Sequence, residues 1–382
     1  MKYLAVLGRQ PEISIAELEM TNFCTEIDKL GGTQKLAIKL KKKPLDFLAE
    51  LPEGKITLGV SDYSKGASKK TATVEALKLK KILVRHGRSV RVVENKEAVL
   101  STATSLHNGL SGKNERKIEL IKVNNDWYKV IGVQDIDAYA KRDQARPARD
   151  AKVGMLPPKL AQILINLCGV LPENARILDP FCGTGVVLQE ALLMGYRAYG
   201  TDIDERMVEY TNKNLNWLFL ERATLAPVCL RQFASQGASV TGLAAQAPRW
   251  SQCSRNNQFQ VSVGDATSFQ WDQPIDAVAC EGYLGKPMSQ IPVDIKLKEQ
   301  KQECKAIILG FLKNLVGQIK PSTPVVVACP AWLRESGEYE RLDIIDEIEN
   351  MGYNVNNKSR EGLLYHRENQ VVARDIIILR KK

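Results

Sequence analysis

The chain has 382 residues, of which 44% are hydrophobic and 26% are charged, and its formal net charge at pH 7 is +10. Domains typically have about 100–200 residues, so the length predicts two domains, and the composition excludes a disordered polymer. The longest apolar runs are shorter than the roughly 18–20 residues of a membrane-spanning helix, and the first residues lack the apolar core of a signal peptide. We therefore expect a cytoplasmic protein without a membrane anchor.

The positive charge is concentrated in the N-terminal part of the chain. Residues 1–150 contain 28 Lys and Arg against 19 Asp and Glu, whereas residues 151–382 contain 26 against 25. Neutralising phosphates supplies much of the affinity for nucleic acids, so a basic region beside a near-neutral one is typical of a nucleic-acid-binding module joined to an enzyme. A basic domain that is merely soluble explains the charge equally well.

The eight cysteines and three histidines do not have the spacing of metal ligands. No Cys-x-x-Cys pair occurs, and the histidines lie far apart in the sequence. Scattered cysteines are typical of reduced core residues in cytosolic proteins. We therefore expect no metal site.

Short apolar runs alternate with helical patterns over residues 1–135, which predicts an α/β region. The predicted strands are 3–7, 35–40, 56–60, 89–93, 118–123 and 127–133, and the predicted helices are 13–20, 70–86 and 97–106. The helix at 70–86 has alanines and leucines on one face and Lys78, Lys81 and Arg85 on the other. These three residues are candidate RNA ligands, although such lysines often only keep a helix solvated.

A glycine turn at residues 180–185 carries the clearest chemical signal. It follows a predicted strand at 176–179 and opens a helix at Val186. Glycines let the backbone approach a ligand closely, and the amides at a helix N-terminus face it. The next predicted strand, 197–200, is followed by Asp202, an acid placed to bind ribose hydroxyls. The spacing predicts a nucleotide-binding β-α-β unit.

Predicted elements continue to the end of the chain. The strands are 258–263, 275–280 and 324–328, the helices lie near 300–317 and 338–350, and a closing strand pair lies around Tyr365 and 374–379. Residues 222–257 show little periodicity and are read as an insertion, because they are much longer than a usual connection. Asp265 follows the strand at 258–263, whereas Glu281 and Tyr283 follow the strand at 275–280.

The sequence Asp-Pro-Phe-Cys-Gly-Thr-Gly at 179–185, with an acid ending the next strand, resembles the class I S-adenosylmethionine (SAM)-dependent methyltransferases that modify amino groups of RNA and DNA. The junction at 135–160, with its Arg-Asp and Arg-Pro pairs before Pro-Pro-Lys-Leu-Ala, resembles the linker of archaeal-type tRNA guanosine-N2-methyltransferases. The N-terminal elements resemble a ferredoxin-like unit followed by a THUMP domain. The resemblance implies a Rossmann-like α/β methyltransferase domain at 159–382, a linker at 136–158 and a THUMP-like RNA-binding region at 1–135.

The resemblance also implies the cofactor SAM and the residues that bind it. The glycine-turn residues that it assigns to SAM are Asp179, Phe181, Gly183, Thr184 and Gly185. Asp202 would bind the ribose, with Asp204 as its rival, and Asp265 would contact the adenine amine. The linker arginines Arg142, Arg146 and Arg149 would contact either RNA phosphates or the SAM carboxylate. A charged linker whose prolines interrupt regular structure is the plainer alternative.

The loop after the strand at 275–280 departs from the family pattern. There the family carries Asp/Asn-Pro-Pro-Tyr/Phe, in which the acid and a backbone carbonyl accept the hydrogens of the base amine and the aromatic ring stacks on the extruded base. In this chain Glu281 stands for the acid and Tyr283 for the ring, both prolines are absent, and the tyrosine comes one residue early. This departure leaves room for another nucleophile or for a loss of catalysis.

Three hypotheses follow. The first is a tRNA methyltransferase acting on the N2 amine of a guanosine, with Glu281 and Tyr283 as catalytic residues. The second is an amino-methyltransferase of rRNA or DNA, and the third is a non-catalytic protein that binds SAM or RNA. We expect a monomer, and the need for a small activating subunit is left open.

Overall fold

The structure is a computed structural model, and it describes residues 1–150, 155–234, 258–357, 362–368 and 370–382. The chain divides into two compact units: the first contains Met1–Ile15 and Phe23–Ala140, and the second contains Ala16–Asn22 and Lys141–Lys382. This division lies within the segment that was predicted to be a linker. No helix within the described ranges is long and apolar enough to cross a membrane.

One six-stranded mixed sheet forms the framework of the first unit. Its strands are β1 (Tyr3–Leu7), β2 (Thr33–Lys39), β3 (Ile56–Asp62), β4 (Val90–Val92), β5 (Lys117–Val123) and β6 (Asp126–Val133). They lie in the order β1-β2-β6-β5-β3-β4, with β3 parallel to β4 and β5 and the other neighbours antiparallel. All six predicted strands are confirmed, whereas the assignment of this unit as a ferredoxin-like and THUMP region stays a prediction.

The helices of residues 1–150 are α1 (Pro11–Met20), α2 (Pro44–Ala49), α3 (Lys69–Arg85), α4 (Thr102–His107) and α5 (Ile136–Gln144). Pro44 occupies the first turn of helix α2, which was not predicted. Helix α4 begins later than predicted because Ser101 caps it by accepting a hydrogen bond from the amide of Thr104 at 3.1 Å. Helix α5 occupies the start of the segment that was expected to be a linker.

The predicted two-faced helix at 70–86 is confirmed in α3. The side chains of Ala76, Leu79 and Leu83 are buried in the core cluster that includes residues of β3 and β5. A capping box at Ser68 and Thr71 fixes the start of the helix. Consequently Lys78, Lys81 and Arg85 lie on its exposed face.

A nine-stranded sheet forms the framework of the second unit. Its strands are β7 (Arg176–Asp179), β8 (Arg197–Asp202), β9 (Phe259–Val263), β10 (Ala277–Glu281), β11 (Pro324–Leu333), β12 (Tyr339–Arg341), β13 (Tyr353–Val355), β14 (Leu364–Tyr365) and β15 (Val372–Lys381). The main order is β13-β15-β11-β10-β7-β8-β9, and β15 is antiparallel between β11 and β13. The strand order reverses between β7 and β10, as in class I methyltransferases, so the predicted fold is confirmed.

The helices of the second unit are α6 (Pro158–Leu167), α7 (Val186–Leu193), α8 (Glu205–Ala234), α9 (Asp294–Val316) and α10 (Ile345–Asn350). Helix α8 continues to Ala234, so the expected insertion at 222–257 begins as an extension of a helix, and its residues 235–257 lie outside the described residues. The helix predicted at 338–350 is wrong in its first part, because residues 339–341 pair with β11 as β12. The closing strand pair is confirmed, since Tyr365 pairs with Arg374.

This topology fixes where a ligand can bind. In open parallel sheets, ligands bind at the carboxyl ends of the strands where the strand order reverses. Here that point lies between β7, which ends at Asp179, and β10, which ends at Glu281. Both carboxylates therefore lie at the same edge of the sheet.

Candidate active site

A cavity of about 420 Å³ lies at this edge of the second unit. It is lined by residues 150, 155–156, 179, 181–184, 186–187, 202–204, 207 and 281–287. These include seven residues assigned from the sequence to the cofactor or to catalysis: Asp179, Phe181, Gly183, Thr184, Asp202, Glu281 and Tyr283. Gly185 and Asp265 are not among the lining residues.

The two glycines of the glycine turn have different structural tasks. Gly183 (φ 51°) and Gly185 (φ 82°) are both in the left-handed region that favours glycine. A Cβ on Gly183 would meet nothing nearer than the carbonyl oxygen of Phe181 at 4.0 Å, so this glycine faces open space. A Cβ on Gly185 would lie 2.8 Å from Cγ2 of Thr211. Gly185 is therefore required by packing and shapes the turn without lining the cavity.

Two carboxylates face the cavity, that of the buried Asp179 and that of the partly buried Asp202. Burial raises the pKa of Asp179 well above its usual range, although the amide of Phe181 donates to it at 3.2 Å, and the nearby Asp202 and Glu281 raise it further. Burial also raises the pKa of Asp202, which accepts hydrogen bonds from the amides of Gly183 at 2.8 Å and Asp204 at 3.0 Å. Such an environment disfavours uncompensated negative charge and favours a ligand with a positive charge.

The structure separates Asp202 and Asp204, the two rivals for the ribose. Asp202 ends β8 and is partly buried at the glycine turn. The side chain of Asp204 is 46% exposed, and its Oδ1 accepts a hydrogen bond from the amide of Arg206 at the start of α8. Both side chains line the cavity, but only Asp202 is hydrogen-bonded to the glycine turn.

The segment 281–287, here called the catalytic loop, is anchored by distant elements. Glu281 is paired with Arg374 of β15, whose Nε donates to its Oε1. The hydroxyl of Tyr283 donates to Oε1 of Glu303 on α9 at 3.0 Å, and burial together with Glu303 raises the pKa of Tyr283 to about 12. The amide of Lys286 donates to Oε1 of Gln300, also on α9, at 2.7 Å. Glu281 and a neutral Tyr283 are therefore held at the cavity.

Asp265 lies away from this arrangement. Its Oδ1 accepts hydrogen bonds from the amide of Thr267 at 2.9 Å and from the hydroxyl of Thr267 at 2.8 Å. The residue is exposed and closes a local turn after β9. Its predicted contact with the adenine amine stays a prediction.

Three of the six basic candidates, Lys78, Lys81 and Arg85, lie on one exposed helix face of the first unit. Lys78 is 3.5 Å from Glu75, and no ion pair involves Lys81 or Arg85 within the described ranges. These side chains are accessible to an anionic partner.

The linker arginines were expected to contact RNA phosphates or the SAM carboxylate, and two of the three are not exposed. Arg142 pairs with the buried Glu190 at 2.7 Å, and Arg146 is 3% exposed with its Nη2 3.0 Å from Sδ of Met155. Only Arg149 is exposed, and its Nη1 donates to the carbonyl oxygen of Gln144. A guanidinium that is buried or paired with a buried carboxylate is poorly placed to reach a phosphate, so the role of Arg142 and Arg146 in RNA binding is not supported by this placement.

Several residues of the site were missed by sequence reasoning. Asp150, Met155 and Lys286 line the cavity, and Lys286 alone had a sequence signal, since it follows the Glu-Gly-Tyr-Leu-Gly stretch. Asn214 of α8 and Arg374 of β15 lie within regular elements, where nothing in their sequence surroundings distinguishes them from other polar residues.

Asn214 links the segment before α6 to the glycine turn. Its Nδ2 donates to the carbonyl oxygens of Ala148 at 2.9 Å and Thr184 at 2.8 Å, and its Oδ1 accepts from the amide of Ala148 at 3.0 Å. The residue is fully buried. It therefore ties together two of the segments that line the cavity. Among the residues that the structure describes, no group of His, Cys, Asp and Glu has the arrangement of a metal site.

Comparison with known proteins places the same part of the chain among methyltransferases. Residues 146–282 match the UPF0020 family, described as an RMKL-like methyltransferase domain. The matched segment contains the glycine turn, Asp202 and Glu281. The methyltransferase domain that the motif predicted is therefore confirmed.

Curated relatives carry a more specific description. The tRNA (guanine(10)-N2)-dimethyltransferase of Methanothermobacter thermautotrophicus is 55% identical over 75 residues, which are 19% of this chain and 22% of that protein. The enzyme of the same name from Methanocaldococcus jannaschii is 31% identical over 157 residues, 40% of this chain and 44% of its own length. The chain thus matches less than half of the length of these relatives.

Among solved structures, the crystal structure of TrmN from Thermus thermophilus is similar over most of the chain. It shares 18% sequence identity, with coverage of 94% of this chain and 86% of that one, at a TM-score of 0.41.

Proposed function

We propose that this chain is a SAM-dependent tRNA methyltransferase that transfers a methyl group to the N2 amine of a guanosine. One observation carries the proposal: a cavity at the reversal of the strand order brings the glycine turn and the carboxylates of Asp179 and Asp202 together with Glu281 and Tyr283. The names of the curated relatives support the choice of substrate. We propose further that the protein works in the cytoplasm and as a monomer.

The residues of the cavity fit SAM. The open space at Gly183 admits a ligand against the backbone, and the carboxylates of Asp179 and Asp202 compensate a ligand that carries ammonium and sulfonium charges. Asp179, Phe181, Gly183 and Thr184 would hold the methionine part, and Asp202 the ribose. Bound SAM supplies an electrophilic methyl group on its sulfonium.

Glu281 and Tyr283 would align the substrate. The lone pair of a guanine amine is delocalised into the ring, so positioning the nitrogen is the main task of the protein. Glu281 accepts an N–H of the amine and holds the nitrogen in line with the methyl group. Tyr283, kept neutral and anchored to Glu303, presents its ring to the extruded base. On transfer of the methyl group to the nitrogen, the amine would lose a proton, for which the Glu281 carboxylate is the nearby acceptor.

The exposed face of α3 would contribute to tRNA binding. Lys78, Lys81 and Arg85 project from one side of the helix, where they can contact backbone phosphates without reading sequence. Substituting Lys81 and Arg85 together by Ala is expected to weaken tRNA binding several-fold and to reduce its salt dependence, with an exposed lysine of the second unit, Lys320→Ala, as the control.

The decisive experiment measures transfer of labelled methyl groups from SAM to unmodified tRNA transcripts, followed by nucleoside analysis. Wild-type protein should yield N2-methylguanosine, and Glu281→Gln should lower the rate by about 100-fold or more because an uncharged amide cannot accept the proton. Glu335→Gln, at an exposed glutamate outside the cavity, is the matched control and should retain full activity.

Other results would contradict the proposal in different ways. Label in a different nucleoside, or a preference for rRNA or DNA in competition, would retain methyl transfer and change the substrate. SAM binding measured by calorimetry without transfer to any of these nucleic acids would favour a binding protein without catalysis.

A further inference from the structure

The partner of Glu281 comes from a strand that is not adjacent to its own. Glu281 ends β10, β11 lies beside β10, and Arg374 belongs to β15 on the far side of β11, opposite Pro330. The Nε of Arg374 nevertheless donates a hydrogen bond to Oε1 of Glu281. The side chains are 7% and 18% exposed, respectively, so the pair is largely shielded from water.

The cavity needs a positive charge at this point. The carboxylates of Asp179 and Asp202 face the same space as Glu281, and Glu281 contributes to raising the pKa of Asp179. A further carboxylate in such a place is costly unless a cation compensates it. Lys286 is the lysine that lines the cavity, but its side chain is exposed, whereas Arg374 is buried against Glu281. Arg374 is therefore the direct counter-charge of Glu281.

The hydrogen bond from Arg374 constrains one carboxylate oxygen of Glu281 and leaves the other oxygen available. Within the described ranges Oε1 of Glu281 accepts the hydrogen bond from Arg374, and Oε2 has no hydrogen-bond partner. Glutamate has three side-chain torsions, so an unpaired carboxylate here would sample several positions. The arginine removes this freedom while Oε2 stays available at the cavity.

We propose that Arg374 is a positioning residue, which fixes Oε1 of Glu281 so that Oε2 is presented to the substrate amine. This role rests on the proposed methyl transfer, in which Glu281 accepts an N–H of the amine. Arg374 does not line the cavity, so it would act through Glu281. It should therefore influence the rate of transfer much more than the binding of SAM.

The test is a double-mutant cycle on methyl transfer to tRNA with Arg374→Met, Glu281→Gln and the combined variant. Arg374→Met should lower kcat by about 30- to 100-fold, the size expected when a catalytic group is misplaced, and change the Kd of SAM less than about threefold. In the combined variant kcat should lie within about threefold of that of Glu281→Gln alone, because the arginine has no other route to the reaction. Arg374→Lys, which keeps the charge, should recover part of the lost rate.

Arg341→Met is the matched control. Arg341 of β12 lies 3.3 Å from the buried Asp375, the next residue along β15, and does not line the cavity. Its loss should lower thermal stability and leave kcat within about twofold at temperatures where the variant is folded. An equal fall of kcat in Arg341→Met, or multiplicative effects of the two substitutions in the cycle, would overturn the proposal.

A measurement that does not depend on turnover separates this proposal from the proposed function. In protein labelled with carbon-13 at glutamate carboxyls, the Glu281 resonance, assigned by its loss in Glu281→Gln, should shift in Arg374→Met and not in Arg341→Met. An unmoved resonance would overturn the pairing itself. If the resonance shifts in Arg374→Met but the wild-type protein methylates no RNA, the ion pair is retained. The proposed function, and the positioning role with it, would then be overturned.

Discussion

The glycine turn and the catalytic loop follow neighbouring parallel strands of one sheet, yet different interactions hold them. The glycine turn is shaped largely by its own backbone, through two left-handed glycines and the hydrogen bond from Gly183 to Asp202 at the end of the next strand. The catalytic loop is held by side chains from α9 and β15, namely Gln300, Glu303 and Arg374. A cofactor site can therefore be encoded locally, whereas the position of the substrate acid depends on the whole sheet.

The largest expected effect comes from breaking the turn at Gly185. Gly185→Ala places a Cβ against Thr211 in a left-handed conformation, and strain plus overpacking should cost about 2–4 kcal/mol of unfolding free energy. Chemical denaturation measures this loss, and calorimetry should detect little SAM binding. Gly195→Ala is the control, since Gly195 also has a positive φ but no atom within 4 Å of the added Cβ. Equal losses in both variants would contradict the role of the Thr211 contact.

The second prediction tests whether the turn is as local as its sequence suggests. Asn214→Ala removes three hydrogen bonds that join the turn to Ala148, and it should lower the unfolding free energy by about 2–3 kcal/mol because buried backbone groups lose partners. SAM affinity should fall as well. Asn212→Ala, which removes a bond to Val208 within the same helix, should have a much smaller effect on both. Unchanged SAM affinity in Asn214→Ala would show that the turn forms without the link.

The third prediction concerns the charge of the turn. The folded-state pKa of Asp179 is raised, so the wild-type protein loses stability as the pH rises through the unfolded-state value of about 3.9 toward the higher folded-state value. Asp179→Asn should therefore melt at a higher temperature than wild type at neutral pH, and the difference should shrink on acidification. Its SAM affinity should be about tenfold lower, because a charge-assisted contact is lost.

Asp272 is the control of opposite sign. A hydrogen bond from Tyr199 lowers its pKa, so its contribution to stability is present at neutral pH and is lost as the pH falls. Asp272→Asn should therefore melt at a lower temperature than wild type at neutral pH, with a difference that also shrinks in acid. Melting curves at several pH values decide both cases. The same sign in both variants would show that the burial of Asp179 does not control the effect.

The smallest expected effect sharpens the comparison at the catalytic loop. Tyr283→Phe keeps the ring and removes the hydrogen bond to Glu303. Losing this bond should reduce transition-state stabilisation by about 1 kcal/mol, which corresponds to roughly a fivefold fall in kcat/KM for tRNA. Tyr339→Phe, which removes a 2.9 Å bond to Gln370 outside the cavity, should leave kcat/KM unchanged. An unaltered rate in Tyr283→Phe would mean that the anchor on α9 does not position the ring.

Much of the fold and the glycine-turn side of the cavity could be predicted, because their sequence signals lie within a few residues of one another. The strand at 176–179, the glycine turn and helix α7 form a local unit whose glycines and hydrogen bonds need only neighbouring residues. The two-faced helix α3 was recognisable from its spacing for the same reason. In contrast, β12 was predicted to be helical. That prediction is wrong because the pairing of β12 with β11 overrides the pattern of its own residues.

The sequence by itself determined the class of the fold and the cofactor turn, since these depend on periodicity, glycine positions and strand ends. Its resemblance to the methyltransferase family implied Glu281 and Tyr283 as candidate residues. Only the tertiary structure decided that Arg142 pairs with the buried Glu190, that Arg146 is buried and that Asn214 joins the turn to the segment before α6. It also decided that Arg374, 93 residues away in sequence, pairs with Glu281. The physical reason is that such contacts depend on the order of strands in the sheet, which brings distant residues together without any mark in their local sequence.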